Sequence, residues 1–366
     1  MRHAFAALRA LPALAGALIF ATAPAFAGAN RESATERSAP LPACEKPRTA
    51  AGAFGTRIRP ATQRVAATPE TIAQAMARLE DNAREECRRW AERAFEEFER
   101  FTFKEPFEGG KYIVSGDIAI SGREQLREFF EKHIRQPGIE ARAGALVVHR
   151  AGGRDAIWDA TLRKGLTYCV SRDFGERHER VVADMHAAAG AWEEAADVDF
   201  IHVAGEDDDC TAANPEVVFD IRPVNVNGQY LARAFFPNEP RPERNVLIDE
   251  SAFQLDPGGA LQLVGILRHE LGHVLGWRHE HTRPEAGACF EDNDWRPLTE
   301  YDRFSVMHYP QCNGGGDWSL VLTHMDRNGA ACVYGPAPGF EVDPAICPNP
   351  PQAALDSRSR RDCRVR

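Results

Sequence analysis

Thirteen residues, HELGHVLGWRHEH from His269 to His281, constrain this chain more than any other stretch. His269 and His273 are four positions apart, which on an α-helix stacks them on one face, one turn above the other. Two imidazoles can then reach a single ion, and Glu270 lies beside them, close enough to meet a water there. Gly276 comes three residues after His273. Glycine takes left-handed backbone angles at little cost, so it can end the helix and turn the chain back. His279 is then delivered as a third ligand. Three neutral ring nitrogens suit Zn²⁺ and leave a fourth position open, the pattern of a catalytic rather than a structural site. A lone histidine would be read as solvated or satisfied by hydrogen bonds. Five matching positions over eleven residues weigh against that reading.

One Zn²⁺ is the expected cofactor; such an ion acidifies its water and polarises a carbonyl. Glu270 would take the proton of the zinc-bound water and pass it to a leaving amine, hydrolysing an amide. The surroundings agree with an exported protein. Residues 1–27 read as a signal peptide: Arg2 and Arg9, an uncharged run from Ala10 to Ala23, then Ala25-Phe26-Ala27 as a small-x-small cleavage site. No later segment is apolar enough to span a bilayer, so no membrane insertion is expected of the mature form. A net charge of −10 argues against nucleic acid and anionic membranes as partners. The expected location is extracellular or periplasmic. The nine cysteines form no CxxC pair, and export makes disulfides their expected use. Cys289 with Cys312 is the best pair, and Cys347 with Cys363 would close the tail. An odd count leaves one cysteine over.

Along the chain, residues 28–154 read as an N-terminal region, 155–336 as the catalytic domain and 337–366 as a tail. Pro69 opens a long helix, Lys111 to Ile120 reads as a strand broken at Ser-Gly-Asp, and Arg123 to Ile134 as a short helix. From about Ala156 strands and helices alternate. A helix from Asp256, which would cap it, carries the histidines, and a last helix starts at Thr323 with Asp326 completing a capping box.

HExxHxxGxxH followed by a methionine turn is the metzincin signature, and the chain resembles that class. HEHTRPE, His279 to Glu285, is similar to the continuation found in astacins, and SVMHY, Ser305 to Tyr309, to their methionine turn. LARAFFP, VLIDE and the closing VYG look like matrixins. Pro284, Glu285 and Ala286 stand where astacins continue with DRD. The resemblance covers roughly residues 156–336. It implies an α+β catalytic domain: a twisted five-stranded mixed sheet, two long helices, one of them carrying HExxH, and a loop-rich lower subdomain ending in a helix. It implies that Met307 packs beneath the zinc. It makes Tyr309 a switchable fifth ligand or a stabiliser of the tetrahedral intermediate, unless it is simply a buried tyrosine. Glu280 would meet the new N-terminus after propeptide removal, or else be a surface carboxylate. Leu231, Ala232, Arg233, Ala234, Phe235 and Phe236 would form the edge strand that binds substrate backbone.

VSGDI, Val114 to Ile118, resembles the FxGD motif of astacin prosegments, with Val114 where that family has an aromatic. The resemblance makes Asp117 a blocking carboxylate on the zinc, with Gly116 allowing close approach; the plain alternative is an ordinary turn. Activation would then need a cut before the first catalytic strand, with His149 to Arg154 as the candidate loop. A thiolate switch by Cys44 or Cys87 ranks lower, because neither has the matrixin context. The expected function is a secreted zinc-dependent endopeptidase acting on proteins or peptides. The alternative is a non-catalytic exported binding protein that keeps the fold. The oligomeric state is left open.

Overall fold

The computed structural model describes residues 69–135, 145–292 and 294–347. The expected signal peptide, Cys44, Cys363 and the end of the tail lie outside these residues. Helix α1 spans Pro69–Phe101. Three short strands follow, β1 Phe103–Lys104, β2 Tyr112–Val114 and β3 Ile118–Ile120, forming an antiparallel meander. The expected strand over Lys111 to Ile120 is thus a hairpin. Val114 pairs with Ile118, so Ser115-Gly116-Asp117 is a three-residue tip. Ser115 and Gly116 both have positive φ, 54° and 99°. Helix α2, Arg123–Phe129, runs into a π-helical turn over Phe130–Arg135. Phe95, Leu126 and Phe130 close a small core over Tyr112, Val114 and Ile118, and that core also takes in Phe236.

Strand β4, Ala145–Ala151, turns through Gly152-Gly153 into β5, Arg154–Asp155. Then come β6 Leu166–Val170, α3 His178–Glu193, β7 Phe200–His202, β8 Phe219–Val224, β9 Ala232–Arg233 and β10 Asn245–Asp249. They build a five-stranded sheet in the order β7-β6-β8-β10-β9. The first three pairings are parallel, and β9 lies antiparallel to β10 at the edge. Helix α4, Leu263–Val274, packs with α3 and the sheet around one core that includes Met185, Trp192, Ile221, Ile248, Leu267 and Leu271. This is the α+β architecture that the resemblance implied.

The helix carrying the histidines starts six residues later than expected, at Leu263 with Gln262 instead of Asp256 as N-cap. Residues 256–262 instead make turns, held by Gln262 Nε2 donating to the carbonyls of Asp256 and Gly259 at 2.9 and 2.8 Å. After α4 come β11 Trp277–Arg278, β12 Trp295–Thr299 and α5 His324–Tyr334. Thr323 and Asp326 form the expected capping box on α5.

A second sheet has β4 at its centre, antiparallel to both β11 and β12. Leu146, Val147 and Val148 are buried there. The boundary expected at residues 154/155 therefore falls inside the β4–β5 hairpin, one strand of which is woven between strands of the histidine-bearing region. Cys289 joins Cys312 as expected. Cys347 pairs with Cys332, which corrects the expected Cys347–Cys363 bridge. Residues 336–347 fold back along α5, where Asp343 N donates to Asn328 Oδ1 at 2.7 Å, and this brings the two sulfurs together. Cys169 joins Cys210, a pair that no local spacing marked.

Candidate metal centre

Helix α4 sets the geometry of the centre. Its spacing places His269 and His273 on one face, and each ring is oriented by a backbone carbonyl. His269 Nδ1 lies 2.8 Å from Val306 O and His273 Nδ1 2.7 Å from Trp277 O. Carbonyls only accept, so both Nδ1 atoms carry the proton and both Nε2 lone pairs are left to face outward. Gly276 ends the helix with φ 93°, and a Cβ there would stand 2.2 Å from Ala156 O. Only glycine fits that turn. The chain then passes through β11 and returns His279 to the same spot. His279 Nε2 lies 3.1 Å from His269 Nε2, and all three rings are buried.

Asp117 arrives from a different part of the chain. The β2–β3 hairpin tip carries its carboxylate into the middle of the three rings. Its Oδ2 is 3.3 Å from His269 Nε2 and 3.7 Å from His273 Nε2, and its Oδ1 is 3.2 Å from His279 Nε2. Gly116 makes the approach possible, because a Cβ there would stand 3.3 Å from the Tyr309 ring. The Tyr309 hydroxyl donates to Asp117 Oδ2. Burial would raise the Asp117 carboxyl, but the His279 charge and the three ring nitrogens hold it well below the usual range.

The donor set fits a tetrahedral cation. Donors 2.0 to 2.2 Å from one tetrahedral ion stand about 3.3 to 3.6 Å from each other; here the three Nε2 atoms and the two Asp117 oxygens lie 3.1 to 3.7 Å apart along the four measured pairs. Polar atoms are left over where a cation would sit: Asp117 Oδ1 and His273 Nε2 are buried without a hydrogen-bond partner. With both rings neutral, as metal ligands must be, the two Nε2 lone pairs would face each other at 3.1 Å, which calls for a positive charge between them. Asp117, His269, His273 and His279 form a group able to hold a metal ion.

Around this group, Glu270 is buried and its Oε2 has no partner. Burial first, then the Asp117 charge, push its carboxyl well above the ordinary range. Met307 is fully buried. It lies so close under α4 that a Cβ at Gly272 would stand 2.3 Å from its sulfur. Glu280 is wholly buried, not on the surface: Oε1 accepts from Asp302 N at 3.0 Å, and Oε2 has no partner. Of the expected edge residues, Ala232 and Arg233 form β9; Ala232, Ala234 and Phe235 join the main core with Leu231 packed against it, and Phe236 enters the N-terminal core. Arg233 is buried against Glu105 from the N-terminal region, with Nε to Oε1 at 2.7 Å and Nη2 to Oε2 at 3.0 Å.

Sequence reasoning left His281 without a role and did not notice Glu291. His281 Nδ1 accepts from Tyr309 N at 3.3 Å, and its ring stacks on those of His279 and Tyr309. Glu291 meets His279 Nδ1. Neither belongs to a periodic pattern. Glu291 sits in CFEDND, which reads as loop, and only its closeness to Cys289 hinted at a fixed position.

Residues 158–286 match the sequence profile of the matrixin family. Two proteins of Oryzias latipes are also similar. High choriolytic enzyme 2 is 29% identical over 116 residues, covering 31% of this chain and 39% of that protein. High choriolytic enzyme 1 is 30% identical over 107 residues, covering 28% and 37%. Over this stretch the chain is similar to the metzincins. It spans under two-fifths of the length of these relatives, 39% and 37%. Zinc is the ion that the matrixin family implies, and the four-residue group could hold a metal ion. Among the described residues, no helix is long and apolar enough to cross a membrane.

Proposed function

We propose that this chain is a metzincin, an exported zinc-dependent endopeptidase whose N-terminal region blocks its own metal centre. The observation that carries the reading is the convergence of three Nε2 atoms with Glu270 one residue along the same helix. His269, His273 and His279 would hold the zinc, which supplies Lewis acidity: it acidifies water and polarises a carbonyl. Glu270 takes a proton from the attacking water and returns it to the leaving amine, so one peptide bond and one water become a carboxylate and an ammonium. Its buried position supports this, because bulk water is kept from the proton that Glu270 carries. Tyr309 donates its hydroxyl to the oxygen that gains charge, a place that Asp117 Oδ2 takes in this structure. Met307 supports the floor of the site. The β9 edge pairs with substrate backbone.

Asp117 is the blocking group in this reading, and the buried Arg233–Glu105 pair anchors the segment that carries it. Release then means a cut upstream of Ala145, not in the Gly152-Gly153 hairpin, because β4 pairs with both β11 and β12. Glu280 offers an unpartnered buried oxygen to an incoming ammonium. Three disulfides agree with an oxidising compartment outside the cytosol.

Purified protein assayed on casein or a peptide library tests the proposal. Glu270→Ala should lose at least about 100-fold in rate, in the range expected for a general base, and 1,10-phenanthroline should abolish the wild-type activity. Equal activity in wild type and variant would sink the mechanism. N-terminal sequencing of the active form tests the block, since an active species that still contains Asp117 counts against it.

A further inference from the structure

Each ring in the metal centre has two nitrogens, and the Nδ1 atom faces away from the cluster. For His269 and His273 its partner is a neutral backbone carbonyl, Val306 O or Trp277 O. His279 differs: its Nδ1 is held by a carboxylate, Glu291 Oε1. Glu291 is 3% exposed. Its Oε2 accepts from Arg278 Nη2 at 2.8 Å, and the same nitrogen donates to Asp292 Oδ2 at 2.6 Å. His281 Nε2 stands 3.4 Å from Glu291 Oε1. The loop carrying Glu291 is tied by Cys289–Cys312 to the chain just after Tyr309.

We propose that Glu291 is the positioning residue that makes His279 a metal ligand; this rests on the zinc reading above. The two helical histidines are aimed by α4 itself, since their spacing fixes the direction of both rings. His279 has no such support. It follows a two-residue strand and precedes a 3₁₀ turn over Glu280–Thr282. Its ring angle is therefore set by what Nδ1 meets. A carboxylate there accepts the Nδ1 proton, fixes the tautomer with Nε2 free and feeds negative charge through the ring, which strengthens the ligand.

His279, His281 and Glu291 could also be read as a second metal group. Glu291 Oε1 is already at hydrogen-bond contact with His279 Nδ1, and Oε2 already holds the Arg278 guanidinium. The carboxylate is occupied on both oxygens, so it orients the first centre and does not hold a second ion.

Zinc affinity of the full chain, measured by competition with a chromophoric chelator, tests the assignment without using activity. Glu291→Gln keeps the shape and removes the charge. It should weaken zinc about 10-fold or more, and Glu291→Ala about 100-fold, in the range seen when such supporting groups are changed. Asp292→Asn removes the other carboxylate from Arg278 without touching His279, and should leave the affinity within about 2-fold. Thermal melts of the metal-free proteins separate folding from binding. Wild-type affinity in folded Glu291→Gln would overturn the proposal, as would an equal loss in Asp292→Asn. A wild type that binds no zinc would overturn the metal centre itself, and with it this role for Glu291. Should Glu291→Ala fail to fold, the near-isosteric glutamine variant alone decides.

Discussion

Gly276 shows how much one residue decides. Its φ of 93° and the 2.2 Å approach of a Cβ to Ala156 O leave no room for any side chain. Gly276→Ala combines backbone strain with overpacking, so it should cost about 2 to 4 kcal/mol of stability. Chemical denaturation of the metal-free variant would check this; a loss below about 0.5 kcal/mol would mean that the turn rearranges freely. His281 and Glu280 make the opposite point. Neither stands in the group formed by Asp117 and the three histidines, yet both are buried because the segment after His279 runs under Tyr309 and Met307. Glu280 N donates to Met307 O at 2.8 Å, a direct tie between the histidine stretch and the methionine turn.

Among the elements, the cap of α5 does more than start a helix. Thr323 Oγ1 caps Asp326 N at 3.1 Å and also donates to Asp302 Oδ2 at 2.6 Å. Asp326 accepts from Thr323 N at 2.9 Å, from Ser305 Oγ at 2.5 Å and from Val306 N at 2.8 Å. One buried carboxylate thus holds the helix start and the methionine turn together. Losing one cap hydroxyl typically costs about 1 kcal/mol, the expectation for Thr323→Ala. Asp326→Ala leaves several buried donors without a partner, so about 3 kcal/mol is expected. Urea midpoints of the two variants would test the ranking. A Thr323→Ala effect as large as that of Asp326→Ala would show that the turn does not depend on this carboxylate.

At the scale of the whole molecule, the N-terminal region is bound as tightly as a core. Phe236 sits among Phe95, Val114, Ile118 and Phe130, and Arg233 with Tyr230 closes on Glu105. The Arg233–Glu105 pair is almost fully buried. Removing one charge from a buried pair leaves the other unmatched and typically costs about 3 to 5 kcal/mol. Glu105→Gln should therefore loosen the region and speed limited proteolysis upstream of Ala145 at least about 10-fold, followed by gel analysis over time. Unchanged proteolysis would mean that the aromatic contacts alone hold it.

Several of these features were legible in the amino-acid sequence. Two histidines four apart, a glutamate between them and a glycine before the third histidine make a local pattern, and helix geometry converts it directly into convergent rings. The capping box at Thr323 and Asp326 and the strand–helix alternation are local in the same way, and so they could be read. The start of α4 was not, because a side chain six residues away, Gln262, captured the carbonyls of Asp256 and Gly259 before the helix began. Only the tertiary structure brought Asp117 into the centre, set Glu291 behind His279, placed β4 between β11 and β12 and paired Cys332 with Cys347. These contacts join segments with no shared period and no fixed spacing, and each depends on where the rest of the chain has already packed.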